Sequence, residues 1–174
     1  MEKRTKTLLY RRSILVLLML ACAILQNTSL PFAGGSFRIW LLLPLVVVAA
    51  MFEKETVGFL TGLFAGCLWD TSAASADGVK ALFFALVGGV CGLLIRYIMR
   101  NTLSAALVLT TAVSLFFTLG HWFTNVVLLQ AGSTLRTLFV FYLPQTVLTI
   151  LTAPLFYFLI RALEKRFRLP GDAR

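Results

Sequence analysis

The residues of this chain with the most chemical potential are His121 and Asp70. His121, the one histidine, belongs to a polar series of Thr111, Ser114, Thr118, His121 and Asn125. The spacings of 3, 4, 3 and 4 place all five on one face of a helix. Tyr142, Gln145, Thr149 and Thr152 repeat the pattern at 3, 4 and 3. A histidine acting as general base needs a nucleophile or an orienting acid within reach, and no acid lies on its own segment. A nucleophile with its base, a paired-carboxylate site and a phosphate-binding glycine loop are likewise not legible. Cys22, Cys67 and Cys91 fall in apolar segments without CxxC spacing and read as buried apolar thiols. We expect no catalytic residue, no metal and no cofactor. The polar series then has two readings: hydrogen bonding between helices, at about 0.6 kcal/mol per contact in a membrane, or the lining of a polar cavity or ledge.

Asp70 ends a second pattern. Gly58, Gly62 and Gly66 recur every four residues, and Asp70 continues the same stripe one turn later. Two overlapping GxxxG motifs allow close backbone approach to a neighbouring helix. Gly88 and Gly92, with Gly89 between them, offer a matching surface further along. The stripe reads either as internal packing of these two segments or as a dock for a foreign helix. Asp70, at a helix end, is expected near the outer interface in contact with water, and Asp77 before Gly78 is expected to cap the following helix.

These patterns need long apolar helices to carry them. Of 174 residues, 59% are hydrophobic and 13% charged, against roughly 25% charged in a soluble domain. Six membrane helices of about 20 residues use about 120 residues, which leaves no polar stretch long enough for a separate aqueous domain. Apolar runs between charges and turn residues give six segments, over 13–30, 39–52, 57–69, 81–95, 103–129 and 138–160. Residues 1–12 and 161–174 form basic tails around a transmembrane domain spanning 13–160. Pro144 and Pro154 are kink candidates in the last segment.

Charge placement fixes the expected topology. The net charge of +9 comes from cations concentrated beside apolar runs, with five in the first twelve residues and five in the last fourteen. Nucleic-acid binding would need basic residues on a folded face or interleaved with exposed aromatics, so no nucleic-acid partner is expected. Six crossings with a cytoplasmic N-terminus place thirteen cations inside and three outside, Arg38, Lys80 and Arg136. A third segment that failed to cross would give eight on each side, so the positive-inside rule selects six spans with both termini cytoplasmic. The first 25 residues also have the layout of a signal peptide, but the apolar run continues past Ala21-Cys22-Ala23, and we read it as the first span. The terminal cations are expected to favour anionic lipid.

Several elements in order resemble the rod shape-determining protein MreD family. They are Leu25-Gln26 closing the first segment, Pro44 before the apolar run of the second, Gly58-x-x-x-Gly62-x-x-x-Gly66-x-Leu68-x-Asp70, Gly78-x-x-Ala81-Leu82, and Gly88 with Gly92. Cys67 and Trp69 stand where the family is usually aliphatic. The resemblance implies a non-enzymatic membrane scaffold of the bacterial cell-elongation machinery. Its implied partner is the bitopic protein MreC and, through it, MreB filaments and the polymerase and transpeptidase that make peptidoglycan. The fold expected on this resemblance is an all-α bundle of six transmembrane helices, similar to the substrate-binding subunits of energy-coupling-factor vitamin transporters. Such a subunit is also the rival functional reading, but its Ala-x-x-x-Ala contact motif is missing, since the first segment has Ala21 and Ala23.

Overall fold

The computed structural model describes residues 2–27, 39–72, 78–124 and 138–166. Every regular element among them is helical: α1 (Glu2–Asn27), α2 (Leu42–Phe52), α3 (Glu55–Ser72), α4 (Val79–Tyr97), α5 (Leu103–Trp122), a π turn (Leu138–Tyr142) and α6 (Leu143–Arg166). Helix α1 runs through the basic stretch that the sequence suggests is a tail. Among the described residues, four helical stretches are long and apolar enough to cross a membrane, Leu9–Asn27, Val79–Tyr97, Leu103–Trp122 and Leu138–Arg166. Helix α2 is apolar but has 11 residues, about 16 Å of rise, and α3 is diluted by Glu55, Asp70 and three glycines.

The short α2 is the centre of the molecule. Every residue from Leu42 to Met51 is buried, and α1, α3, α4, α5 and α6 all pack on it. A buried helix must satisfy its terminal backbone groups from elsewhere, and here the neighbours supply them. The Gln26 amide oxygen of α1 accepts the Leu42 N–H at 3.1 Å, and the Thr149 hydroxyl of α6 accepts the Trp40 N–H at 3.3 Å. At the other end Asn101 Nδ2 donates to the Met51 carbonyl at 3.1 Å. Pro44 lies within the first turn of α2, where its missing N–H has no intrahelical acceptor to lose.

The contacts run the helices in alternating directions. Arg11 pairs with Glu53 where α1 meets the end of α2, while Gln26 meets the start of α2. Glu55 at the start of α3 pairs with Arg96 at the end of α4, and Asp70 at the end of α3 meets Ala81 at the start of α4. Thr118 meets Thr146, and His121 meets Tyr142, so α5 and α6 are antiparallel. One end of the bundle thus gathers Arg11, Glu53, Glu55, Arg96 and Asn101; the other gathers Gln26, Trp40, Asp70, Lys80, His121 and Tyr142. Pro144 opens α6 just after the π turn. A proline ring crowds the carbonyl four residues earlier, here Val140 inside that turn, which accounts for the wider winding.

Candidate functional site: the glycine seam and the polar core

Helices α3 and α4 form the most extensive helix pair of the bundle, and the glycines explain why. A Cβ on Gly62 would collide with the Phe84 carbonyl group, lying 2.8 Å from its carbon. One on Gly66 would strike the Ala81 backbone and lie 2.7 Å from the Lys80 oxygen. Gly58 and Gly88 face each other, with a Cβ on Gly58 at 2.8 Å from the Gly88 oxygen and one on Gly88 against the Gly58 carbonyl. Gly92 is held against Glu55, where a Cβ would lie 3.0 Å from its Cα. Each four-residue step along α3 is matched by about four in reverse along α4, so two backbones touch without intervening side chains. The stripe is filled from within by α4.

Asp70 is 6% exposed, which corrects the expectation of an acid in contact with water. Its Oδ2 accepts the Ala81 N–H at 3.1 Å, and Lys80 Nζ lies 3.4 Å from Oδ1. The N-cap position of α4 is Gly78, at φ 67°, which has no side chain to offer. Asp70 therefore supplies both the acceptor and the negative charge that a helix N-terminus favours, from a different helix. Asp77, which the sequence suggests for this role, lies outside the described residues.

The structure brings part of the polar series together. The Thr118 and Thr146 hydroxyls are 2.7 Å apart, and Thr149 donates to the Gln145 carbonyl at 2.8 Å while accepting the Trp40 N–H. His121 Nδ1 is 3.2 Å from the Tyr142 hydroxyl, with the Trp40 and Phe117 rings centred 6.1 and 6.0 Å from the imidazole. Thr111 and Thr152 instead donate to carbonyls of their own helices, Leu107 and Thr149. Ser114 is fully buried, and its hydroxyl and that of Thr110 lack a hydrogen-bond partner among the described residues. Asn125 lies outside the described residues. Trp69 joins an aromatic cluster with Trp40, Phe84 and Phe117, at centroid distances of 6.3, 5.3 and 5.4 Å. Cys22 and Cys91 are buried thiols as expected, but Cys67 is exposed on the outer face of α3. No group of three His, Cys, Asp or Glu side chains that could hold a metal occurs among the described residues.

Comparison with known proteins bears on what such a bundle does. The family model described as rod shape-determining protein MreD matches residues 6–167. The chain belongs to the MreD family. The match takes in all of α2 to α6 and nearly all of α1, including the glycine seam, Asp70 and the polar core. No curated protein and no solved structure matches this MreD-family chain. Membership makes it a rod-shape-determining membrane protein, in a family of structural proteins rather than a known enzyme family.

Sequence reasoning missed Thr110, Thr146 and Trp40 as members of the polar core, and Gln26 as the acceptor for α2. Thr146 carries a usable signal: with Tyr142, Thr149 and Ala153 it gives spacings of 4, 3 and 4, one residue off the Gln145 series, and Thr146, Thr149 and Ala153 are the buried set.

Proposed function

We propose that this protein is a non-enzymatic scaffold of the bacterial elongation complex, a six-crossing bundle in the plasma membrane with both termini cytoplasmic. It seats a bitopic MreC-like protein and, through it, helps position MreB filaments and the peptidoglycan polymerase and transpeptidase. The observation that carries this reading is the family match over residues 6–167. Packing supports it: the glycine stripe is filled by α4 and the polar series largely turns inward, so the bundle meets other proteins through outward apolar faces such as Leu17, Ile24 and Phe116. The alternating helix directions support six crossings, since they bring Arg11, Arg96 and Asn101 to one end and Asp70, Lys80 and His121 to the other. That division agrees with the cation split the positive-inside rule selects.

Complementation tests the role. Cells depleted of the protein are expected to round up, and the wild-type gene to restore rods. Rods that persist without it contradict the reading. Reporter fusions after Asn101 and Gln130 are expected on opposite sides of the membrane; the same side for both contradicts the topology.

A further inference from the structure

A groove of about 220 Å³ runs between α1 and α3 on the outside of the bundle. Its walls include Val16 and Met19 from α1 and Leu60 and Phe64 from α3, and Arg12 stands at one end. It is larger than the ~150 Å³ apolar cavity that takes up benzene. The one hydroxyl in the wall, on Thr61, donates to the Gly58 carbonyl of its own helix at 2.9 Å. Arg12 lies at the end of the bundle where Arg11 pairs with Glu53 and Arg96 with Glu55. Those pairs engage both carboxylates of the α2–α3 turn. No carboxylate among the described residues pairs with Arg12 or with the turn's own cation Lys54, and both are exposed.

A hydrocarbon trough that ends in an uncompensated guanidinium suits one chemistry at a membrane boundary: an acyl chain attached to a phosphate. We propose that the α1–α3 groove seats one acyl chain of an anionic phospholipid, with its phosphate on Arg12. Charge complementarity favours this occupant over a single-span protein helix. Such a helix carries its own Lys and Arg at the cytoplasmic end and would set them against Arg12. The proposal rests on the membrane orientation given above and not on any protein partner.

The test is native mass spectrometry of the purified full chain in mild detergent, with phosphatidylglycerol or phosphatidylcholine added. Wild type is expected to retain phosphatidylglycerol about five-fold better, the ratio that one cation near an anionic surface provides. Arg12→Gln is expected to abolish that preference, and Arg100→Gln, an exposed cation at the same end outside the groove, to leave it intact. Leu60→Trp, which fills the trough, is expected to lower retention of both lipids. Equal retention of the two lipids by wild type, or equal effects of the two arginine variants, overturns the proposal. So does a photo-crosslinker at position 60 that captures polypeptide rather than lipid in native membranes. Because the binding assay contains no partner, its result is independent of whether an MreC-like protein binds.

Discussion

The Asp70 carboxylate at the end of α3 accepts the Ala81 N–H at 3.1 Å, so α4 begins under a cap that belongs to another helix. Gln26 does the same for α2, accepting the Leu42 N–H across from α1. Both N-termini are set by long-range contacts, and helix placement and helix capping are therefore coupled.

Asp70→Ala leaves the buried Ala81 N–H without its acceptor, and is expected to destabilise by about 1–3 kcal/mol. Asp70→Asn keeps an oxygen for Ala81 and should lose less. Thermal unfolding in detergent measures both, and equal losses would show that the acid does not act as a cap.

Glycine substitutions separate seam from surface. Gly62→Ala places a methyl group against the Phe84 carbonyl and should lower thermal stability and the yield of folded protein, with Gly62→Leu worse. Gly120→Ala on α5 meets nothing within 4 Å and should be neutral or stabilising by up to about 1 kcal/mol through helix propensity. Similar losses at both positions would contradict the close α3–α4 approach.

The buried hydroxyls divide into paired and unpaired. Thr118→Val breaks the contact with Thr146 and should cost about 0.6–1.7 kcal/mol. Thr110→Val removes a hydroxyl that makes no bond among the described residues, and its expected effect is zero or a gain, because desolvating an unpaired polar group is unfavourable. Unfolding midpoints of the two variants give the comparison, and a larger loss for Thr110→Val would mean that its hydroxyl is bonded.

Thiol reactivity should follow exposure. Cys67 is expected to react with a small maleimide in detergent within the time that leaves Cys22 and Cys91 unmodified. Mass spectrometry should find one label per folded chain, and labelling of Cys91 in folded protein would contradict its burial in the core.

Much of this architecture was legible in the sequence. The four-residue glycine period reports a helix face, and a face of three glycines opposite Gly88 and Gly92 has few uses other than close packing. The six apolar segments overlap the six described helices because a run of apolar residues is a local property, although four of them reach membrane-spanning length and apolarity. The misses are long-range. Periodicity cannot tell whether Gln145 or Thr146 turns inward, since adjacent residues differ by 100° and only the neighbouring helix decides. Nor can it show that Asp70 rather than a residue next to Gly78 caps α4, or that Gln26 reaches the start of α2. The central position of α2 was equally hidden: an 11-residue apolar helix reads as a marginal span until five neighbours are seen around it.

The most direct test of the central claim is co-purification. The tagged full chain and the MreC-like protein of the same cell, co-expressed and extracted in mild detergent, are expected to elute as one stable complex through affinity and size-exclusion steps. Separate elution of two folded proteins, with a small vitamin retained by this chain instead, would contradict the scaffold and favour a transporter subunit.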